Sequence, residues 1–169
     1  VKKILISTGG SGGHVMPAIA FYEHFNEKYK VYLSTDKRGS RFIDKKIYEY
    51  ELIDVPNIFS SIFYLPLNLI KFFLSFIKSF IYLKKNKIDI LLSTGGYMSL
   101  PLCFASKILN IKLYLFEPNM VIGRANKLII KFSKKVICHN NEIKGLSVKY
   151  KDKIYVSKSI LRKEIYNVK

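Results

Sequence analysis

Near the N-terminus the chain reads Ser7-Thr-Gly-Gly-Ser-Gly-Gly-His-Val-Met-Pro17, directly after the short apolar run 3–6. Four glycines, Gly9, Gly10, Gly12 and Gly13, flank Ser11 and lead to His14. Glycine permits positive φ and lets another molecule approach the main chain closely. A helix that follows such a loop offers unpaired N–H groups and a partial positive charge at its first turn. The pattern suits a phosphate or pyrophosphate, and His14 adds a side chain able to exchange a proton near neutral pH. A plain strand-to-helix turn needs one or two glycines rather than four. The spacing is also not the Gly-x-Gly-x-x-Gly of dinucleotide-binding turns.

Two further loops with similar punctuation follow apolar runs. Thr94-Gly-Gly-Tyr-Met-Ser-Leu-Pro101 contains Gly95, Gly96 and Tyr97, and Glu117-Pro-Asn-Met-Val-Ile-Gly123 contains Glu117 and Asn119. The elements that must position these loops alternate. Strands are expected at 3–7, 30–34, 50–55, 88–93, 112–116, 135–138 and 154–156. Helices are expected at 16–26, 39–48, 65–84, 98–109, 122–132 and 141–146. Strands separated by helices imply an α/β fold, a Rossmann-like parallel sheet with helices on both faces. Ligands of such sheets sit at the carboxyl ends of the strands, where the three loops would converge. Turn-capping is the competing role for Glu117 and Asn119.

The 169 residues suffice for one domain with a proper core, and 49% hydrophobic and 14% aromatic content exclude disorder. Net charge is +17, almost all of it from lysine, since arginine occurs only at 38, 41, 124 and 162. Such a balance favours anionic partners. The lysines are scattered and no nucleic-acid-binding signature is present, so nucleic acid is not the expected partner. Cys103 and Cys138 lie far apart in apolar settings and read as buried thiols of a reducing compartment. The N-terminal apolar run is too short for a signal peptide, so the expected location is cytoplasmic.

The segment 58–85 is unusually greasy. Asn68, Lys71, Ser75, Lys78 and Tyr82 recur at helical spacing on one stripe, and residues such as Leu69, Phe72, Phe73 and Phe76 fill the rest, with Lys84 and Lys85 beyond. Three roles are open. A transmembrane span of ~20 residues is long enough, but each central lysine would cost ~2.5–3.5 kcal/mol. A core helix of the domain is the second. An interfacial helix on anionic lipid, contacting it through Leu69, Phe72, Phe73, Phe76, Lys84 and Lys85, is the third.

Taken together the three loops carry a resemblance. Thr8-Gly-Gly-Ser-Gly-Gly-His-Val-Met-Pro-Ala resembles the first glycine loop of the MurG family, Thr94-Gly-Gly-Tyr-Met-Ser-Leu-Pro its second, and Glu117-Pro-Asn-Met-Val-Ile-Gly-Arg-Ala-Asn-Lys its Glu-Gln-Asn…Gly-x-x-Asn-Lys/Arg stretch. The resemblance covers the chain from end to end. It implies the N-terminal half of a GT-B glycosyltransferase that inverts configuration without metal or cofactor. The family transfers N-acetylglucosamine from UDP-GlcNAc to lipid I, the undecaprenyl-pyrophosphate-linked acceptor of peptidoglycan synthesis, at the cytoplasmic membrane face. By the resemblance, residues 1–157 form the acceptor domain, 158–169 begin the interdomain linker, and the donor-binding domain lies outside this chain.

The resemblance implies residue roles as well. Gly9, Gly10, Ser11, Gly12 and Gly13 would present N–H groups to the acceptor diphosphate, with Gly95, Gly96 and Tyr97 completing the site. His14 would accept the proton of the acceptor hydroxyl, Asn119 and Glu117 would position the sugar, and Arg162 would lie on the donor side near the linker. Departures from the family pattern are Ser11 for Thr, Leu100 for Gly, Pro118 for Gln, and a tail without Gly-Asn-Pro. Two other functions fit the residues: a non-catalytic membrane-recruiting acceptor subunit of a split transferase, and a lipid-sugar transferase with another acceptor such as diacylglycerol.

Overall fold

In the computed structural model, which describes residues 1–56 and 63–166, seven strands form a single sheet. They are β1 (Lys3–Ser7), β2 (Lys30–Thr35), β3 (Glu51–Leu52), β4 (Ile90–Ser93), β5 (Lys112–Glu117), β6 (Lys135–Cys138) and β7 (Ile154–Val156). All pair in parallel, in the order β3-β2-β1-β4-β5-β6-β7. The helices are α1 (Gly12–Phe25), α2 (Leu65–Asn86), α3 (Leu100–Ile108), α4 (Arg124–Ile129) and α5 (Lys163–Tyr166). The expected doubly covered α/β sheet is what forms.

The pleat explains how short apolar runs build two cores. Ile4 and Ile6 of β1, Val31 and Leu33 of β2 and Leu92 of β4 point to the α1 side. Leu5, Leu91, Leu113 and Val136 point to the opposite side, beneath α2, α3 and α4. A strand covered on both faces must be apolar at every position, which is why these runs do not alternate with polar residues.

Several expected elements take another form, each for a local reason. The helix expected at 39–48 is only a 3₁₀ turn, Gly39–Phe42. Asp36 starts it by accepting the Ser40 amide at its carbonyl, and Asp44 then bonds the 46–48 amides into a separate turn. No helix forms at 141–146, because Gly145 adopts φ +79 and Lys144 is bridged to Val121 in extended form. The strand expected at 50–55 pairs only through Glu51 and Leu52. The helix expected at 122–132 begins at Arg124 and tightens to 3₁₀ at Ile130–Phe132. Most consequentially, α1 begins at Gly12 rather than Met16, so Gly12, Gly13 and His14 belong to its first turn.

α2 is the one helix among the described residues long and apolar enough to cross a bilayer. Of the greasy segment read from the sequence, residues 58–62 lie outside the described residues. α2 is a core helix on one face only: Asn68, Ser75, Ser79 and Leu83 are buried and Phe72, Phe76, Phe80 and Tyr82 half-buried against the core, while Leu67, Leu69, Ile70, Phe73, Leu74 and Ile81 are exposed. Of the buried serines, Ser75 finds a partner outside the helix and Ser79 bonds within it. Ser75 Oγ donates to the Asp54 carbonyl at 2.6 Å, and Ser79 Oγ to the Ser75 carbonyl at 2.7 Å. Phe72 and Phe76, expected to touch lipid, are half-buried against the core, Phe72 edge-on to Phe104 of α3. Leu69, Phe73, Lys84 and Lys85 do face outward.

Candidate functional site

Strand order reverses between β1 and β4: β1 leads outward to β2 and β3, while β4 leads the other way to β5. Loops leaving neighbouring strands there diverge and leave a crevice at the carboxyl edge of the sheet. The same dipeptide closes three adjacent strands at this edge. Ser7 stands opposite both Ser34 and Ser93, and Thr8, Thr35 and Thr94 follow them. All six residues are fully buried. The Thr94 hydroxyl donates to Thr8 Oγ1 at 2.8 Å, and the Thr94 amide to the Ser7 carbonyl at 3.0 Å. Within this hydroxyl belt the Thr94–Thr8 pair fastens β4 to β1, while the Ser34 and Thr35 hydroxyls are buried without a hydrogen-bond partner among the described residues.

The first glycine loop sits on the belt and is braced by Asp36, which is 3% exposed. Asp36 Oδ1 accepts the amides of Gly10 at 2.9 Å and Gly39 at 2.8 Å, while Oδ2 accepts Arg38 Nε at 3.1 Å. A Cβ on Gly9 would stand 2.6 Å from Asp36 Oδ1 and 2.7 Å from Met98 Cγ, so the fold itself demands glycine there. Gly12 and Gly13 differ. A Cβ on Gly12 would make only ordinary contact with the Phe42 ring, and one on Gly13 would meet nothing closer than Ser11 Oγ at 3.8 Å. The α1 ladder starts with the His14 and Val15 amides bonding the Ser11 carbonyl, which leaves the Gly12 and Gly13 N–H groups outside it.

His14, the third residue of α1, spans the crevice. Its Nδ1 lies 2.7 Å from the Thr94 carbonyl of the second loop. A carbonyl only accepts, so Nδ1 carries the hydrogen and Nε2 of the neutral ring holds a free lone pair. The ring packs on Gly95, where a Cβ would stand 3.1 Å from His14 Cε1 and φ is +97. Gly96, at φ +86, brings a would-be Cβ to 3.3 Å from the Gly9 carbonyl. Ser11 and Gly13 are exposed, and Gly10, Gly12, His14, Gly96 and Tyr97 are part-exposed at the crevice.

The third loop is built round Glu117 at the end of β5. Its carboxylate is 1% exposed and accepts four donors. Oε1 takes the Asn119 amide at 3.2 Å and Asn119 Nδ2 at 2.9 Å, and Oε2 takes the Gly123 amide at 2.7 Å and Asn126 Nδ2 at 3.0 Å. Glu117 therefore lies beneath the loop and shapes it, while Asn119 rides above it. Asn126 is buried and also donates to the Phe116 carbonyl, at 3.2 Å. Arg162 is not brought to this crevice. It pairs with Glu164 in the C-terminal segment, which docks on α1 where Glu23 Oε2 accepts the Lys163 amide at 2.7 Å. Sequence reasoning gave no role to Asp36, Arg38 or the hydroxyl belt, and included Asn126 only as part of the third motif. The repeated Ser-Thr at three strand ends was the available signal for the belt.

Both thiols are buried, and burial pushes the Cys103 thiol up to about 12 and raises that of Cys138. Among the described residues no group of three His, Cys, Asp or Glu side chains could hold a metal ion.

Residues 4–138 match the glycosyltransferase family 28 N-terminal domain. The chain belongs to glycosyltransferase family 28. Within reach of this family 28 domain are enzymes named UDP-N-acetylglucosamine–N-acetylmuramyl-(pentapeptide) pyrophosphoryl-undecaprenol N-acetylglucosamine transferase. That of Pelagibacter ubique is 49% identical over 98% of this chain, and that of Rickettsia typhi 33% identical over 98%. This chain spans 47% and 42% of these two, about half the length of the curated relatives it matches. Acinetobacter baumannii MurG shares its fold with a TM-score of 0.77 at 22% identity, over 93% of this chain and 46% of that one. A UDP-GlcNAc 2-epimerase from Neisseria meningitidis, solved with UDP-GlcNAc bound, shares it at 0.62 and 13% identity, over 92% of this chain and 46% of that one.

Proposed function

We propose that this chain is the acceptor-binding half of an inverting N-acetylglucosaminyltransferase that converts lipid I to lipid II in peptidoglycan synthesis. The observation that carries the proposal is the placement of His14. It joins the two glycine loops at the point where strand order reverses, with Nε2 left free as a base. The transferases named above, up to 49% identical, act by their names on a pyrophosphoryl-undecaprenol acceptor, which fits an anion cradle of main-chain N–H groups. In the proposed reaction His14 Nε2 takes the proton from the acceptor hydroxyl. The hydroxyl oxygen attacks the anomeric carbon of UDP-GlcNAc, and the bond to the UDP oxygen breaks with its electron pair leaving on UDP. Attack opposite the leaving group inverts the configuration. A positioned general base supplies ~10²–10⁴-fold in rate.

In this reading the acceptor pyrophosphate lies on the exposed rim of the two loops and takes the Gly12 and Gly13 N–H groups. The expected N–H groups of Gly10, Ser11 and Gly95 are instead taken by Asp36 Oδ1, the Gly9 carbonyl and Ser93 Oγ, with Gly9 and Gly95 buried beneath. Asn119 positions the sugar, and Glu117 acts by holding Asn119. The acceptor domain is residues 1–157. The segment from 158 on leads toward the donor half while clasping α1 through Glu23 and Glu27, which accepts Lys163 Nζ at 2.5 Å. The donor half supplies UDP-GlcNAc, with Arg162 on that side. The outward apolar face of α2 rests on the cytoplasmic membrane surface, where Lys84 and Lys85 meet anionic headgroups. Titrating this chain with a short-chain lipid I analogue, followed by amide NMR, tests the acceptor assignment. The expected result is saturable shifts at residues 9–13 and 95–97. Shifts elsewhere only, or equal binding of diacylglycerol, would refute it.

A further inference from the structure

The loop after β2 contributes a cation to the glycine crevice that no sequence motif marks. Asp36 is 3% exposed, and its carboxylate ties together the first glycine loop, through the Gly10 amide, and the turn at Gly39. Its remaining oxygen fixes Arg38 by a single bond to Nε at 3.1 Å, with the Arg38 side chain 65% exposed. That bond orients the guanidinium: Nη2 lies 3.7 Å from the point where a Cβ on Gly10 would stand. Gly10 has φ +80 and no side chain to fill this space, so the arginine fork borders the open surface of the loop. Asp54, across from this turn, pairs with Lys37 Nζ at 3.2 Å and accepts the Lys37 amide at 2.9 Å. A planar fork whose Nε is anchored and whose Nη2 borders the open surface of the glycine loop is suited to a phosphate contact.

We propose that Arg38, aimed by Asp36, is the side-chain anchor for a pyrophosphate lying on the first glycine loop. This rests on the acceptor reading above and adds to it the residue that supplies the positive charge. The Asp36 carboxylate is a positioning residue, since it reaches the ligand only through Arg38 and Gly10. A pyrophosphate at this crevice could come from the lipid-linked acceptor or from the donor nucleotide, and both present the same chemistry to Arg38.

Calorimetric titration of this chain with inorganic pyrophosphate tests the anchor without any transferase assay. Arg38→Ala is expected to weaken binding ~10–100-fold, the loss of a charge-assisted pair of hydrogen bonds. Arg38→Lys restores part of it, because a point charge replaces the fork. Lys151→Ala, an equal charge change in the remote 3₁₀ turn Val148–Lys153, leaves it unchanged. The same titrations with a short-chain lipid-linked sugar pyrophosphate and with UDP identify the source: whichever one loses affinity in Arg38→Ala is the natural ligand. Equal affinity of wild type and Arg38→Ala for all three ligands would overturn the inference. So would an equal loss in Lys151→Ala, which marks nonspecific attraction. Arg38-dependent binding, with no glycosylation of lipid I by the polypeptide that joins this chain to a donor half, would refute the proposed function and leave the anchor standing.

Discussion

The outward face of α2 gives a prediction whose size follows from exposure. Ile70 and Phe73 are 59% and 60% exposed and lie one helical turn apart on that face. Full burial of such a side chain yields ~1.5–3 kcal/mol, so the area left open on each is worth ~1–2 kcal/mol on entering the headgroup–acyl boundary. Replacing both by aspartate removes ~2–4 kcal/mol, and 1.4 kcal/mol is about tenfold. Ile70→Asp with Phe73→Asp should therefore weaken partitioning onto vesicles containing anionic lipid by ~30-fold or more. The cost to folding is small, since substitutions at exposed sites usually fall within ~0.5 kcal/mol plus a modest loss of helix propensity. Sedimentation with sucrose-loaded vesicles measures the effect, and circular dichroism checks the fold. Phe72→Ala is the control: Phe72 packs edge-on to Phe104, so truncation lowers stability and leaves partitioning unchanged. Raising salt should weaken only the lysine-borne part of wild-type binding, because the Debye length at 0.1 M is ~10 Å. A folded double variant that partitions like the wild type would refute the reasoning.

Other expectations follow from single residues. Gly95→Ala places a Cβ 3.1 Å from His14 Cε1 at φ +97, so it should cost ~1–3 kcal/mol in thermal or urea unfolding; an unchanged midpoint would contradict the loop geometry. Gly13→Ala keeps the N–H and adds a Cβ that meets nothing closer than Ser11 Oγ at 3.8 Å, so it should hold or raise stability by up to ~1 kcal/mol yet weaken pyrophosphate binding by crowding; intact binding would show that the ligand does not pack against the Gly13 Cα. Glu117→Gln turns an amide NH₂ toward donors that now share a carboxylate, and should lower stability by ~1–3 kcal/mol; a neutral result in denaturant titration would contradict the four-donor arrangement. Native Cys103, its thiol pushed up to about 12 by burial, stays protonated in mildly alkaline buffer and should resist iodoacetamide until the protein is unfolded, with mass spectrometry reading the adduct.

The strand ends and glycine loops were legible because each obeys a local rule: an apolar run, then glycine where the backbone turns. What the sequence concealed was contact between segments far apart in the chain. Asp36 and Arg38 carry no spacing signature, and their loop looked helical because the Asp36 and Asp44 turns that interrupt it depend on individual hydrogen bonds. The period of α2 was visible but its orientation was not. A polar stripe normally faces water, yet Ser75 turns inward to the Asp54 carbonyl, which only the fold supplies, and Ser79 closes on the helix's own Ser75 carbonyl. His14 stood out in the sequence at the end of the first glycine loop, but its place in the first turn of α1 and its bond to Thr94 emerge only once β4 lies beside β1.

The central claim is that His14 serves as the base at a crevice holding a lipid-linked acceptor. The most direct test is transfer of radiolabelled N-acetylglucosamine from UDP-GlcNAc to lipid I by the polypeptide that joins this chain to a donor half, compared with its His14→Ala variant. The account predicts that kcat falls by ~10²–10⁴-fold while acceptor KM changes little. Near-normal turnover by a folded His14→Ala protein would contradict it.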